Sequence, residues 1–426
     1  MVTCYIGLGS NLGERKKNIE LALNCLRGTG GIKIERLSSL SETEPQGCPA
    51  GSPRFINGVV KIKTVFNPRQ LLERLTAIEK RLGRNSAREI LCRRPIDLDI
   101  LFYGDRKIDA PGLKIPHPRL EERDFVLKPL KEIAPDRIKS LAKRMKIISS
   151  IVKMRSFSLK EREKHKSIGF VPTMGFLHQG HLSLIRQAKK DCHTCIVSIF
   201  VNPIQFGPKE DYRIYPRDLE RDSILAKSAG CDCIFYPQVK DMYPKRYLTY
   251  VNLADITDGL CGASRPGHFK GVATVLTKLF NIVQPDIAYF GQKDYQQAIV
   301  IQKMVKDLNL PLKIRVMPTV RESDGLSMSS RNAYLNARER LEAAVLYRSL
   351  QKAQKQILSG ERDSQKIIRE IQKDIMQGKE GSPRIEYIVV VDAKTLEPLE
   401  YIKGKSLIAL AVWIGKIRLI DNIIIG

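Results

Sequence analysis

Hydrophobic positions in the first 136 residues alternate between helical and extended spacing. Ile19, Leu23 and Leu26 recur at helical spacing within residues 13–27, and a second helix with proline in its first turn is predicted over 68–81. Strand-like segments end near residue 10 and cover residues 32–43, 54–63 and 96–103. The resulting order βαββαβ predicts a ferredoxin-like α+β sandwich.

After residue 166 the pattern changes to short apolar runs separated by amphipathic helices. The apolar runs cover residues 167–171, 195–201, 233–236 and 286–290. Strands that alternate with helices favour a parallel sheet with crossover helices. The region therefore predicts a doubly wound, Rossmann-like α/β domain that binds a nucleotide.

The pattern changes again near Arg321. Two helices are predicted over 336–358 and 362–377, and strands follow at 385–392, 406–414 and 417–422. This order predicts a small α+β C-terminal domain that covers the nucleotide site as a lid. The predicted domains are residues 1–136, a helical linker at 137–144, residues 145–320 and residues 321–426.

Composition narrows the class of protein. The 426 residues are 43% hydrophobic, which suffices for two or three buried cores. The longest apolar run, Leu407 to Ile414, is too short to cross a bilayer, and the first ten residues lack the pattern of a secretion signal. We therefore expect a cytoplasmic enzyme without a membrane partner. The nine cysteines are scattered, which favours reduced thiols over a zinc site or disulfides.

Positive charge is spread along the whole chain. The formal charge of +26 divides into +11 over residues 1–144 and +15 over the remainder, and no basic tail is present. Dispersed charge of this kind steers anionic substrates such as ATP and carboxylates toward the protein. We expect no nucleic-acid partner.

The motif HxGH is the first candidate for chemistry. The segment PTMGFLHQGH follows a predicted strand and opens a helix, where free backbone amides and the helix dipole favour phosphate. His178 and His181 flank Gly180, whose missing side chain lets the backbone approach a nucleotide. Both imidazoles can donate hydrogen bonds to phosphate oxygens as negative charge grows in a transition state. Metal ligation and surface histidines are the alternatives, and the lack of a nearby carboxylate disfavours the metal.

A second segment, Met328-Ser329-Ser330-Arg331, carries two hydroxyls and a guanidinium downstream of the flexible pair Asp324-Gly325. Such a loop can close over a triphosphate and neutralise it. Serine-rich turns are common, so the segment gains meaning only from its pairing with HxGH.

From Met145 to its end, the chain resembles pantothenate synthetases. Six blocks occur in the order of that family, namely PTMGFLHQGH, SIFVNPIQF, GASRPGHFKGV, KLFNIVQPDIAYFGQKDYQQ, DGLSMSSRNAYL and RLIDN. The resemblance implies that ATP and pantoate form an enzyme-bound pantoyl adenylate and pyrophosphate, before the amine of β-alanine displaces AMP. It also implies Mg²⁺ as a partner of ATP, and a homodimer.

The same resemblance assigns roles to single residues. His181, beside His178, is implied as the donor to phosphate, Lys293 as a point charge near the phosphates, and Arg331 as a further cation. The implied pantoate and β-alanine contacts are Gln205, Gln297 and Asn202. The implied nucleotide contacts are Met174, Gly175, His178, His181, Gly291, Gln292, Lys293, Asp294, Val320, Met328, Ser329, Ser330 and Arg331.

Two aspartates at alternate positions mark a second candidate site. Asp97 and Asp99 lie in the predicted strand 96–103, where the period of two sends both carboxylates to one face. Neighbouring carboxylates repel each other unless a cation joins them, so the pair suits Mg²⁺ that carries ATP phosphates. A strand with one wet face is the alternative. Arginines that could offset triphosphate charge surround the pair; they are Arg84, Arg88, Arg93, Arg94, Arg119 and Arg123.

Residues 1–136 resemble the hydroxymethyldihydropterin pyrophosphokinases of folate synthesis. The segments GSNLG, TEP, FIN, RRPIDLDIL and IPHPRLEERDFVLKPL carry the resemblance. It implies that a pterin alcohol attacks the β-phosphorus of ATP and expels AMP, with two Mg²⁺ on Asp97 and Asp99. The implied phosphate contacts are Arg84, Arg94, His117 and Arg123. The implied pterin contacts are Thr43, Phe55, Asn57 and Phe125.

The chain departs from this second family at four positions. Ile90 and Leu91 stand where the family has arginine and tryptophan on its mobile loop, and Glu44 and Phe55 replace proline and tyrosine. One alternative is therefore that the N-terminal region is an inactive docking appendage and pantothenate synthesis is the sole activity. A synthetase acting on transfer RNA is a further alternative, disfavoured because no aromatic and basic stripe is present.

Overall fold

The computed structural model describes residues 1–45, 48, 52–84, 92–208, 210–377 and 383–426. The chain divides into two units at Arg144/Met145, and the short segment Ser223–Ser228 is grouped with the first. None of the described helices combines the length and apolarity that a bilayer span requires.

The first unit is built on an antiparallel sheet. Its strands are β1 (Val2–Ser10), β2 (Ile32–Leu37), β3 (Ser41–Thr43), β4 (Phe55–Thr64) and β5 (Asp97–Tyr103), and its first two helices are α1 (Arg15–Gly28) and α2 (Pro68–Arg81). The strand order is β2-β4-β1-β5, with β3 beside β4. The predicted strand 32–43 is therefore wrong as a single element. It breaks where the Ser38 hydroxyl, rather than a backbone carbonyl, accepts the Val59 N–H at 2.9 Å.

Local sequence explains the helices of this unit. Asn67 accepts the N–H groups of Arg69 and Gln70, the Gln70 side chain accepts the Asn67 N–H, and Pro68 starts α2. Leu71 and Leu75 of α2 are fully buried with Leu23 and Leu26 of α1 in one core. Burial of the apolar stripe of each helix against the sheet therefore holds the unit together.

The segment after β5 contains elements that the sequence pattern did not predict. They are a hairpin of β6 (Ile108–Ala110) and β7 (Leu113–Ile115), then α3 (Asp124–Ile133). Helix α4 (Pro135–Ala142) follows where a helical linker was predicted over 137–144. Ile138 and Leu141 of α4 are buried, and α4 packs on α3 within the first unit.

The second unit begins with a six-stranded parallel sheet, which confirms the predicted alternation. Its strands are β8 (Ile147–Ile148), β9 (Ile168–Thr173), β10 (Thr194–Ile199), β11 (Cys233–Phe235), β12 (Ile287–Gly291) and β13 (Lys313–Met317). The intervening helices are α5 (Ile151–Glu163), α6 (Gln179–Asp191), α7 (Leu219–Ser228), α8 (Val239–Met242), α9 (Cys261–Ser264), α10 (His268–Val283) and α11 (Tyr295–Asp307). The order is β13-β12-β9-β10-β11-β8. The sequence pattern did not predict the edge strands β8 and β13. Strand β8 has only two residues, and β13 carries exposed Lys313 and Arg315.

The last hundred residues form a second core in this unit. Helices α12 (Ala337–Leu358) and α13 (Ser364–Met376) precede an antiparallel sheet of β14 (Pro383–Asp392), β15 (Ser406–Ile414) and β16 (Ile417–Ile425). Leu350, Ile371 and Leu410 are buried together in this core. A separate core around Phe170 and Phe235 lies on the parallel sheet.

Truncation of Leu71 to alanine should destabilise the first unit by about 2–5 kcal/mol, because it removes a fully buried side chain and leaves a cavity. Hydrogen exchange of peptides from residues 1–144 measures this loss. The matched control is Leu21→Ala on α1, whose side chain is 41% exposed; its cost should stay within about 0.5 kcal/mol. Equal losses for the two variants would contradict the packing described.

Candidate active sites

The first candidate site lies where the strand order of the parallel sheet reverses. The chain runs from β9 to β10 on one side, whereas β12 pairs with β9 on the other. In open α/β sheets, ligands bind beyond the carboxyl ends of the strands at such a reversal. Met174 follows β9 there, and Gln292–Asp294 follow β12. A cavity of about 250 Å³ occupies this position.

His178 and His181 are fixed at the start of α6. The His178 ring Nδ1 accepts the Gly180 N–H at 3.2 Å, and the His181 Nδ1 accepts the His178 N–H at 3.3 Å. The two ring centroids are 4.0 Å apart. Because both Nδ1 atoms accept, each neutral ring carries its proton on Nε2.

Both imidazoles are neutral at neutral pH. Burial lowers the pKa of His178 well below its ordinary value, and the charge of His181 and of Lys293 lowers it further. Burial lowers the pKa of His181 to about 4, against a smaller raising effect of Asp294. The pair therefore offers two N–H donors to the cavity without adding positive charge.

Glycine and aspartate shape the loop before α6. Gly175 has a φ of +84°, and a Cβ there would lie 2.9 Å from Ile199. Asp222 accepts the N–H groups of Phe176 and Leu177 at 2.7 and 2.8 Å. A Cβ on Gly180 would lie 2.9 Å from the His178 ring. A side chain at position 180 would therefore displace the His178 ring. This requirement for glycine is separate from the predicted close approach of a nucleotide to the backbone.

Cationic and hydroxyl groups also line this cavity. The Lys293 Nζ lies 3.7 Å from the Asp294 carboxylate, and the Arg331 guanidinium binds both oxygens of Asp211 at 3.0 and 2.8 Å. Six further predicted nucleotide contacts line it, namely Met174, Gly291, Val320, Met328, Ser329 and Ser330. Gly175 and Gln292 are not among the lining residues and lie in the loop before α6 and in the turn after β12.

Two segments of the unit meet at Ser330. Its hydroxyl is 3.2 Å from the Tyr215 hydroxyl, and the Ser329 hydroxyl accepts the Arg331 N–H at 3.3 Å. The contacts of Tyr215 and Asp211 thus hold the serine loop against the segment that follows β10. Neither residue belongs to a recognisable motif, and sequence reasoning missed both.

The predicted pantoate contacts Gln205, Gln297 and Asn202 all line the cavity. The Asn202 Nδ2 donates to Gln205 Oε1 and to the Gly271 carbonyl, both at 3.1 Å, and its Oδ1 accepts from Tyr243 at 2.8 Å. Its side chain is 1% exposed. The amide of Asn202 is thus used inside the protein, where it orients Gln205.

Arg265 and His268 add a polar group that sequence reasoning left without a role. Arg265 binds both oxygens of Glu210 at 2.8 and 2.5 Å and lies 3.1 Å from the His268 ring. The other ring nitrogen of His268 lies 2.8 Å from the Gln205 carbonyl. Both residues lie within the block GASRPGHFKGV, which was the available signal.

The second candidate site lies on β5 of the first unit. Asp97 contacts Arg84 at 2.8 Å and Arg94 at 2.9 Å, and Asp99 contacts Arg123 at 3.1 Å and His117 at 3.8 Å. Burial raises the pKa of the Asp97 carboxyl, and the charge of Asp99 raises it further, against the lowering effect of the arginines. The structure thus brings together both predicted metal ligands and all four predicted phosphate contacts.

These carboxylates fit a magnesium ion. Both present oxygen atoms on one strand face, and a cation between them would relieve the repulsion that raises the pKa of Asp97. Within the described ranges, no cluster of three or more histidine, cysteine or acidic side chains is present. The other ligands of the ion would therefore be phosphate oxygens and water, as Mg²⁺ prefers.

Sequence reasoning missed Glu79, which supports this pair. Its carboxylate accepts the Leu98 N–H at 2.7 Å and forms an ion pair with Arg84. Burial raises the pKa of Glu79 to about 7, against the lowering effect of the Leu98 N–H and of Arg84. Glu79 therefore fixes both the strand that carries Asp97 and one of its arginines.

The predicted pterin contacts lie near the ends of three elements. The Asn57 Nδ2 donates to the Thr43 hydroxyl at 2.6 Å, and Phe55 pairs with Thr43 between β4 and β3. Phe125 lies in the first turn of α3, with the Arg123 guanidinium 5.6 Å from its ring. The described residues show no direct contact between the two phenylalanine rings. Ile90 and Leu91 lie outside the described residues.

A cavity that the sequence did not predict adjoins Asp99 and His117. Its volume is about 600 Å³, and the β6–β7 hairpin forms one wall. Leu72 and Ile100 supply apolar surface to its lining. A partly apolar cleft beside the cations around Asp97 and Asp99 suits the base and sugar of a nucleotide.

Comparison with known proteins identifies the larger part of the chain. Residues 146–424 match the sequence model of the family described as pantoate-beta-alanine ligase. The pantothenate synthetase of Moorella thermoacetica is 54% identical over 281 residues, which are 66% of this chain and 99% of that protein. The enzyme of Thermotoga petrophila is 54% identical over 66% of this chain and 100% of its own length.

The chain belongs to the pantoate–β-alanine ligase family. Its activity is that of a pantothenate synthetase, the ATP-dependent joining of pantoate to β-alanine. Residues 5–135 match the model described as 7,8-dihydro-6-hydroxymethylpterin-pyrophosphokinase, so the chain is a fusion of two family modules.

Solved structures of the ligase family share the fold of the C-terminal part. The crystal structure from Thermus thermophilus aligns with a TM-score of 0.62 at 42% identity, over 66% of this chain and 99% of that chain. The Francisella tularensis ligase, complexed with beta-gamma ATP and beta-alanine, aligns with a TM-score of 0.54 at 38% identity, over 66% and 97% of the two chains.

The ligase-family histidines provide a test of the geometry. Because burial lowers the pKa of His181 to about 4, its ring should stay neutral down to about pH 5, with the proton on Nε2. Nitrogen and carbon NMR of labelled protein measures both properties, and His178→Gln and His181→Gln assign the signals. A ring that titrates near its ordinary pKa, or that carries its proton on Nδ1, would contradict the described capping.

Proposed function

We propose that the cavity at the β9/β12 reversal carries out the adenylation step of pantothenate synthesis. A pantoate carboxylate oxygen bonds to the α-phosphorus of ATP, and the bond to the bridging oxygen breaks, so that pyrophosphate leaves. The amine of β-alanine then attacks the acyl carbon and AMP leaves. The observation that carries the proposal is a pair of buried, neutral imidazoles, each with Nδ1 bound to a backbone N–H, that line one cavity together with Lys293 and Arg331.

The residues divide the work by charge. The His178 and His181 N–H groups and the Lys293 ammonium stabilise negative charge that develops on the phosphates. Arg331, Ser329 and Ser330, which line the same cavity, bind the triphosphate. The predicted nucleotide contacts Met174, Gly175, Gly291, Gln292, Asp294, Val320 and Met328 surround the rest of ATP.

Pantoate would lie against Gln205 and Gln297, whose amides recognise hydroxyl and carboxylate groups by direction. Asn202 lines the same cavity beside them and also orients Gln205. The Francisella tularensis relative was solved with beta-gamma ATP and beta-alanine, which favours the same two ligands here. A larger cavity of about 1250 Å³ shares Lys293 and Gln297 with the first and gives β-alanine a route to it.

We also propose pyrophosphoryl transfer in the first unit. The hydroxyl oxygen of 6-hydroxymethyl-7,8-dihydropterin bonds to the β-phosphorus of ATP, its proton is lost, and AMP leaves. Arg84, Arg94, His117 and Arg123 bind the phosphates, and the cavity beside the hairpin takes the adenosine. Asp97 and Asp99 would hold Mg²⁺, which when bound neutralises phosphate charge.

The pterin would lie between Phe55 and Phe125 by aromatic stacking, with Asn57 and the backbone near Thr43 at its edge. A ferredoxin-like sandwich is proposed for this unit, since an antiparallel sheet of order β2-β4-β1-β5 with two crossover helices supports it. The alternative, an inactive appendage, is disfavoured because the paired carboxylates and their arginines are all in place. A cytoplasmic homodimer and Mg²⁺ in the ligase site stay expectations from the family resemblance.

Removal of the donors should slow adenylation. His181→Ala and Lys293→Ala should each lower pyrophosphate release from pantoate and ATP on the order of 100-fold or more, because each removes a group that stabilises transferring charge. His165→Asn, a change to an exposed histidine, serves as the control and should match the unaltered protein. Near-normal rates for both site variants would remove these residues from the mechanism.

Loss of one carboxylate should separate the two activities. Asp97→Asn keeps the shape of the side chain but halves the charge of the proposed metal pair, so AMP release from ATP and the pterin alcohol should fall at least about 100-fold. Pantothenate formation by the same protein is the internal control and should be unchanged. If the unaltered chain releases no AMP with the pterin alcohol, the appendage alternative is correct.

A further inference from the structure

The turn that carries Lys293 is held from behind by one amide. Asn422, on the last strand β16, donates from Nδ2 to the carbonyl oxygens of Gln292 and Lys293 at 3.1 and 2.9 Å. Its Oδ1 accepts from the Gln292 Nε2 at 3.4 Å. The side chain of Asn422 is 3% exposed. Both ends of the Asn422 amide are therefore committed to this turn.

The neighbouring residue holds the base of the serine loop. Asp421 accepts from two nitrogens of Arg321 at 2.6 and 2.9 Å and is 2% exposed. The Arg321 guanidinium lies 3.6 Å from the centre of the Tyr347 ring. The backbone of Arg321 also forms an isolated antiparallel β-bridge with Ser327, two residues before Ser329. Two adjacent residues of β16 thus hold two separate phosphate-facing segments.

The geometry favours asparagine over other residues at position 422. The two carbonyl oxygens require N–H donors, and the Gln292 amide requires an acceptor, so one side chain must supply both. An aspartate would place a carboxylate against the two carbonyl oxygens. An alanine would leave these carbonyls without their side-chain donor, which is costly for backbone groups in a protein interior.

We propose that Asn422 is a positioning residue that keeps the Lys293 ammonium directed at the phosphates, while Asp421 keeps the serine loop in register with it. This inference rests on the proposed role of Lys293. Asn422 borders the larger cavity of 1250 Å³ but does not line the 250 Å³ cavity of the proposed adenylation step, so its effect on that step passes through Lys293. A cation whose charge matters in the transition state loses most of its effect when it is displaced.

The test is a double-mutant cycle on single-turnover adenylate formation from pantoate and ATP, with the full chain. Asn422→Ala should lower the rate up to about 100-fold with little change in the KM for pantoate, and Asn422→Asp should lower it at least as much. In the Lys293→Ala background, Asn422→Ala should cause no further loss, because its effect passes through Lys293. The control is Asn281→Ala, which alters an exposed amide that donates within its own helix.

Three outcomes would overturn this role. The rate losses of Asn422→Ala and Lys293→Ala could multiply in the double variant, Asn422→Asp could have normal activity, or Asn422→Ala could change only the KM. Hydrogen exchange separates positioning from misfolding, since faster exchange in Asn422→Ala should be confined to peptides around residues 291–297. Faster exchange over the whole unit would also count against the proposal. If the unaltered chain releases no pyrophosphate, the proposed function itself fails and this role fails with it; activity with additive losses refutes only the role of Asn422.

Discussion

Two backbone N–H groups at the start of α6 determine what the ligase site can do. They bind the Nδ1 atoms of His178 and His181 and so fix both rings with their Nε2–H groups free. A helix start ordinarily offers its own amides to an anion. Here those amides orient imidazoles instead, and the proposed donors to phosphate are the ring Nε2–H groups. Gly180 and Asp222 serve the same arrangement, one by leaving room for a ring and the other by holding the preceding loop.

Cations in both sites are already paired in the free protein. Arg331 binds Asp211, Arg265 binds Glu210, and the arginines around β5 bind Asp97 and Asp99. Such pairs give each guanidinium a defined orientation before substrate arrives. ATP must then share or replace these carboxylates, and Mg²⁺ would release the arginines of the first unit by taking their partners. The net charge of the chain therefore says little about free positive charge inside the sites.

The two sites solve the same electrostatic problem with different means. In the proposed mechanisms both stabilise the negative charge of transferring phosphate, and the ligase site would do so with neutral imidazoles and a lysine. The first unit instead presents carboxylates that would hold Mg²⁺. Burial explains the difference. Burial lowers the pKa of the histidines and so removes a charge that would be costly to bury. In the first unit, burial and the charge of Asp99 raise the pKa of Asp97, and a bound cation would relieve this repulsion.

Short-range sequence patterns were enough for most of the helices, for the central strands and for the motifs at their ends, but not for the edge strands β8 and β13 or for the β6–β7 hairpin. Periodicity located the helices of both cores, and the blocks around His178, Lys293, Ser329 and Asp97 identified the families, because such residues follow strands at fixed distances along the chain. Tertiary structure alone decided which distant residues serve these motifs. The Asn202 amide, for example, binds the Gly271 carbonyl and the Tyr243 hydroxyl, which lie far from it along the chain. Glu79, Asp211 and Asn422 reach the sites from other elements, and the helix predicted at 137–144 packs on α3. These contacts join residues far apart in sequence, so they follow from the folding of the chain and leave no local pattern.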